Sequence, residues 1–334
     1  MINKTFIAAT DFFGMILRSC YLDFKLRSLQ DLRLVFYHGI GDGNSPSMRY
    51  LSDEISESLF IRHLDYLQEH YTILSIEEAV LKIKEPIREK PICSISFDDG
   101  LRSVFLKAYP HLKRKKIPFT IFINSPVVNN KKILWTHLLS YFIFHYTEKP
   151  IKEYCSIEAN VDIFEWFRSN FSIVQREKII GKLAQKFKEN PKVIAQNEGL
   201  YLENGDMEKM LDFATFYSHT NNHVPLGCLS TEQIIKEIEH NLPKNFISFP
   251  FGMKTDYGLN AHQIALSNGH QYVVEVGNGI NDPSEVKAKS LLSRVSLGSC
   301  KFSNMYSAIE LRPLLKHKLQ KLKPKMENFR FKAL

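Results

Sequence analysis

The chain is poor in the features that would place it outside the cell or across a membrane. Its five cysteines, Cys20, Cys93, Cys155, Cys228 and Cys300, are odd in number, and no two stand at a disulfide or metal-binding spacing. That pattern suits a reducing compartment. Within residues 1–30, Phe6, Phe13, Leu17, Cys20 and Phe24 form an apolar stripe. Asp11 and Gly14 interrupt it, so it reads as an N-terminal amphipathic segment and as neither a signal peptide nor a transmembrane helix. There is no internal repeat, no low-complexity stretch, and no interleaving of basic and aromatic residues of the kind that binds nucleic acid. Histidine is scarce late in the chain: after residue 270 only His317 remains.

What is present begins with Phe97-Asp98-Asp99-Gly100. Two adjacent carboxylates end the run Pro91-Ile92-Cys93-Ser94-Ile95-Ser96-Phe97, which is short, apolar and β-branched, and so reads as a buried strand. Ending a buried strand on two acids is costly unless their charge is compensated. A metal ion would do this and leave the second carboxylate free to act as a base; an Asx-type turn with both acids in water is the plain alternative. About 120 residues later, Ser218-His219-Thr220-Asn221-Asn222-His223 sets two histidines four apart, close enough to converge on one metal, although twelve histidines produce such pairs by chance. A third run, Phe246-Ile247-Ser248-Phe249, ends in Pro250-Phe251-Gly252. There Pro250 fixes its own φ and Gly252 permits a sharp turn, so the Phe251 N–H could face a site and hold an oxyanion.

Three such elements in this order resemble the polysaccharide deacetylases, the NodB-homology family 4 carbohydrate esterases. The first family motif, [TS]FDDG, is present as Ser96 to Gly100; the second, H[ST]xxH, as His219 to His223; the third, a Pro-aromatic-Gly turn, within Phe249 to Gly252. The likeness covers roughly residues 32–132 and 200–300. It implies Asp99, His219 and His223 as ligands of a divalent metal, zinc before cobalt, nickel or manganese. It implies Asp98 as the general base toward the attacking water, with the Phe251 amide stabilising the oxyanion. The set agrees with the needs of amide hydrolysis: a water nucleophile, a Lewis acid and a proton donor for the departing amine.

The chain departs from the family in two places. Ser248 stands where many members carry an arginine, and the late Leu-x-His of the general acid is absent. His38, in Leu34-Val35-Phe36-Tyr37-His38-Gly39-Ile40, resembles the YH element of a permuted branch whose proton donor precedes FDDG, and is the candidate acid. Arg294, in Leu292-Ser293-Arg294-Val295, resembles a late arginine of that branch and could replace the missing one and orient Asp98. A structural histidine and a surface salt bridge are the alternatives for these two.

Strand-like runs (32–38, 91–97, 117–124, 246–250, 271–276) alternate with helical ones (57–70, 103–115, 230–242, 260–268), which predicts an α/β fold with parallel strands and crossover helices. The family's fold is a distorted (β/α) barrel of about seven strands. It is expected over residues 31–305, with a helical insertion at 133–199 that serves either as a lid or wall beside the active face or as a peripheral bulge. Residues 306–334 are expected to form a basic C-terminal tail. Residues 312–334 hold eight Lys or Arg and one acid, Glu327, and so carry nearly all of the net charge of +8. Leu311, Leu315, Leu319 and Leu322 fall at helical spacing there, as in a helix that lies on an anionic membrane face.

The expected protein is thus a cytoplasmic hydrolase, with the basic tail either peripheral on the inner face of the membrane or simply solvated. It would remove an N-acetyl group from an amino sugar of a bacterial surface glycan or its lipid-linked precursor, and no nucleic-acid partner is expected. O-deacetylation or deformylation would use the same site, and a non-catalytic glycan-binding module that kept the fold is the reading from another class.

Overall fold

In a computed structural model, residues 31–312 and 315 are described, apart from 52–53, 84, 86–88, 170–171, 259 and 278. The N-terminal segment and residues 316–334 of the expected tail lie outside the described residues. Seven strands make the barrel: β1 (Leu32–Tyr37), β2 (Ile92–Phe97), β3 (Phe119–Ile123), β4 (Ala214–Ser218), β5 (Phe246–Ser248), β6 (Tyr272–Val276) and β7 (Leu291–Ser296). Each pairs in parallel with the next, and β7 pairs in parallel with β1, closing the ring. Closure leaves no free edge inside the ring. Among the described residues four short strands sit outside it: Ile280–Asn281 runs antiparallel on β1, Thr72–Ile73 runs parallel on β2, and Gly39–Ile40 pairs in parallel with Glu54–Ile55.

The sequence produces this ring because most of these strands are apolar on both faces, as parallel strands covered on both sides must be. Leu32, Leu34, Phe122, Tyr217, Phe246, Val274 and Leu292, drawn from strands all around the ring, share one cluster inside the barrel. The helix Ile76–Lys82 packs on that cluster through Ile76, Ala79 and Val80, next to the strand starts Leu32 and Ile92. Alternate residues such as Val35, Tyr37, Ile95, Phe97 and Ile121 point outward against Phe60, Leu64 and Leu67 of the helix Glu57–His70. The expected helix at 230–242 is Thr231–Ile238, opened by a Ser230–Gln233 capping box. The run expected as one helix over 103–115 is a π-helical turn, Val104–Ala108, leading into the helix Tyr109–Arg114.

The insertion forms five helices: Trp135–Tyr146, Glu148–Cys155, Ile163–Ser169, Ile173–Phe187 and Pro191–Glu198. The break at Asn190-Pro191 is a helix start, with Asn190 accepting from the Lys192 and Val193 amides and Pro191 in the first turn, where its missing N–H costs nothing. These helices bury their own core of Leu139, Phe142, Phe167, Leu183 and Ala195.

Residues 306–311, expected to open the tail, are buried against the barrel. Glu310 accepts a hydrogen bond from Arg33 of β1 at 3.0 Å and another from the Tyr71 hydroxyl. Among the described residues no helix is long and apolar enough to cross a membrane.

Candidate active site

The strand register sets the site. Tyr37 of β1 pairs with Phe97 of β2, and the Asp98 amide donates to the Tyr37 carbonyl at 3.0 Å, so His38 and Asp98 leave neighbouring strand ends at one level. Ile123 pairs with Ser218, which brings His219 to the end of β4 beside Asn124, whose amide donates to the His219 carbonyl at 2.5 Å. The chain reverses directly after Asp98: Asp99 and Gly100 have φ of 67° and 68°. A Cβ at Gly100 would stand 3.2 Å from an Ile123 methyl, so glycine meets both the φ and the space. The two acids therefore leave the strand in different directions.

Asp99, His219 and His223 converge. One donor atom from each lies within 4.8 Å of the other two, and all three side chains are buried. Asp99 Oδ1 stands 3.6 Å from His219 Nε2 and 3.3 Å from His223 Nε2. His219 Nδ1 lies 2.9 Å from the Ser248 carbonyl. A carbonyl only accepts, so Nδ1 carries the proton and Nε2 offers its lone pair to the centre. Burial pulls His219 down to about 4 and His223 to about 3, so both imidazoles are neutral donors at ordinary pH. Asp99 Oδ1 is buried and makes no hydrogen bond within the described structure. A carboxylate oxygen left bare between two neutral imidazole nitrogens is the donor set a divalent cation takes, so the residues fit the metal that the sequence implies.

Asp98 is treated differently. Arg294 of β7 grips it with both nitrogens, at 2.7 Å to Oδ1 and 2.5 Å to Oδ2. The guanidinium lies over the rings of Phe36, at 4.1 Å, and Phe122, at 5.3 Å, inside the barrel. Arg294 also donates to Ser248 Oγ at 2.5 Å, so the serine standing at the expected arginine position meets a guanidinium that comes from another strand. Burial pushes the Asp98 carboxyl up, but Arg294 and then His219 outweigh it and hold it at about 2. Burial raises Asp99.

All of the residues proposed from sequence line one cavity of about 490 Å³: His38, Asp98, Asp99, His219, His223, Phe251 and Arg294. His38 is half-buried, with its ring edge-on to Phe36 at 5.6 Å, whereas the preceding Tyr37 turns outward to within 3.3 Å of His63 Nδ1. Phe251 holds a φ of 60°, with its ring 5.0 Å from His223.

Sequence reasoning set the insertion either beside the active face or at the periphery, and named none of its residues. Trp135, His137, Phe164 and Arg168 line the same cavity. Trp135 donates its indole N–H to the His223 carbonyl at 2.8 Å, and Arg168 lies over the Phe251 ring at 4.9 Å. The sequence carried no signal for them, because one histidine and one tryptophan in an apolar helix look like core.

The buried histidines give an acid-stability prediction. His63 and His270, away from the centre, are also pulled down to about 4 by burial. Between about pH 6.5 and 4 the unfolded chain binds protons that the folded one refuses, so stability falls as the pH falls through that window. In the presence of a chelator, the thermal midpoint should decline steadily from pH 6.5 to 4; a flat profile would contradict the assigned neutral states.

No protein-family model matches the chain. Over 124 residues it is 28% identical to YxkH of Bacillus subtilis, provisionally described as a polysaccharide deacetylase; the match spans 36% of this chain and 38% of that protein. Among solved structures, the deacetylase PplD of Streptococcus pyogenes, in complex with acetate, superposes with a TM-score of 0.55 at 16% identity, covering 84% of this chain and 98% of that one. BC0361, a polysaccharide deacetylase from Bacillus cereus, superposes with a TM-score of 0.50 at 16% identity over 84% and 69%. The barrel therefore has the fold that these two solved structures share.

Proposed function

We propose that the protein is a metal-dependent hydrolase that removes an N-acetyl group from an amino sugar of a bacterial surface glycan or of its lipid-linked precursor. The observation that carries this is the division between the two adjacent acids: Asp99 bare between two neutral histidines, Asp98 ionised in the grip of Arg294. A divalent metal held by Asp99, His219 and His223 would polarise the acyl carbonyl and acidify the attacking water. Asp98 takes the proton from that water. The water oxygen bonds to the acyl carbon, the Phe251 amide donates to the oxygen that gains charge, and the C–N bond breaks as His38 protonates the leaving nitrogen. Acetate and the free amine are the products.

A lipid-linked substrate finds support in a second cavity of about 420 Å³ that shares Trp135 with the first. Its walls include Ile133, Leu138, Ile180 and Val224, and Lys131, Lys132 and Lys192 stand at it. That pairing suits an apolar chain with an anionic link.

The test is acetate and formate release from free and isoprenoid-phosphate-linked amino sugars bearing N-acetyl, O-acetyl or N-formyl groups. Release of acetate from the N-acetyl compounds supports the reading, and preferential release from the O-acetyl or N-formyl compounds transfers it to the O-deacetylase or deformylase alternative. No release from any of them would leave the non-catalytic glycan-binding reading.

His38→Asn gives a separate prediction. A general acid matters only when the leaving group needs a proton. The variant should lose roughly 10²–10⁴-fold on an acetamido sugar and keep most of its activity on an aryl acetate. Equal losses on both substrates would remove His38 from that role.

A further inference from the structure

The two oxygens of Asp99 face different partners. Oδ1 faces His219 and His223, whereas Oδ2 lies 3.8 Å from Nε2 of His137. His137 comes from the first turn of the insertion helix Trp135–Tyr146 and is 1% exposed. Its other nitrogen, Nδ1, is 2.6 Å from the Tyr201 hydroxyl. That hydroxyl accepts from the Leu134 amide at 2.9 Å, which leaves its own proton free for His137 Nδ1, and we assign the pair that way. The protonated nitrogen of His137 is then Nε2, the one turned toward Asp99.

Tyr201 is itself fixed. Its backbone exchanges hydrogen bonds with the Asn130 side chain, at 2.9 and 3.3 Å, and bridges Leu101 just past the two acids.

We infer that His137 and Tyr201 are positioning residues for the metal ligand Asp99: the His137 Nε2–H holds Oδ2, so that Oδ1 alone is turned toward His219 and His223. At 3.8 Å the contact is longer than a hydrogen bond and acts as a dipole on a charge between two buried side chains. The inference rests on the metal reading above and adds that the insertion completes the metal centre. Positioning partners behind a ligating side chain are worth about 10–100-fold in metal affinity.

The experiment measures Zn²⁺ affinity of the metal-stripped full chain by competition with a chelating indicator, and the visible absorption of the Co²⁺ form. His137→Leu should raise the Kd for Zn²⁺ by about 10–100-fold and shift the Co²⁺ bands. His137→Gln, which returns an N–H donor near the Nε2 position, should recover most of the affinity, and Tyr201→Phe should fall between. Circular dichroism checks the fold; if His137→Leu does not fold, Tyr201→Phe, which removes only a hydroxyl, carries the test. Variants that bind within twofold of wild type with unchanged Co²⁺ bands overturn this inference alone. A wild-type chain that takes up no metal overturns the function reading and this inference with it.

Discussion

Asp98→Asn should lower hydrolysis by about 10²–10⁴-fold, the usual contribution of a general base, while metal uptake stays near wild type. The geometry separates these outcomes. The proposed metal donors are Asp99, His219 and His223, whereas both Asp98 oxygens are committed to Arg294. An asparagine keeps the shape and one acceptor for Arg294 but cannot take a proton from water. Acetate release and metal stoichiometry, measured on the same preparation, give the answer. Loss of both together would mean that Asp98 is part of the metal shell, and loss of neither that the base lies elsewhere.

Arg294→Met should be the most damaging single change to stability in the site. Arg294 is 1% exposed and Asp98 2% exposed. Removing one partner of a buried pair leaves an uncompensated charge, which costs about 3–5 kcal/mol. The same change should move the activity profile. Burial raises the Asp98 carboxyl and Arg294 is the leading cause of its depression, so without Arg294 the carboxyl titrates at higher pH. The acid limb of the pH–rate profile then shifts upward, in the direction of a base that must lose its proton before it can act. Arg294→Lys keeps the charge but not the two-pronged grip, and should fall between wild type and Met on both counts. Urea unfolding and a pH–rate profile on the residual activity measure the two effects. A destabilisation without a shifted profile would make Arg294 a structural ion pair only.

The site was legible where chemistry and position coincide in the chain. Asp98 and Asp99 stand out because two acids at the end of the apolar run 92–97 are costly there unless compensated, and His219 and His223 because they stand four residues apart, in the order the H[ST]xxH motif requires. The β2 and β3 strands were legible as short runs dominated by apolar and β-branched residues. Strand β4, Ala214–Ser218, was missed because it is short and half polar. Strand β7, Leu291–Ser296, was missed because it carries Arg294 toward the barrel interior, where an apolar residue is expected. The arginine interrupts the pattern where it pairs with Asp98. His137 could not be read at all. The role proposed for it depends on a fold that returns the insertion to the barrel mouth and on the contact with Tyr201, 64 residues away in sequence.

The central claim is that Asp99, His219 and His223 hold a metal on which hydrolysis depends, with Asp98 as its base. The most direct measurement is acetate release from an N-acetylated amino sugar by the metal-stripped protein, before and after one equivalent of Zn²⁺ or Co²⁺. The account predicts background release before addition, and full recovery at one equivalent in wild type. Release that is unchanged by metal removal, or that stays at background after an equivalent is demonstrably bound, would contradict it.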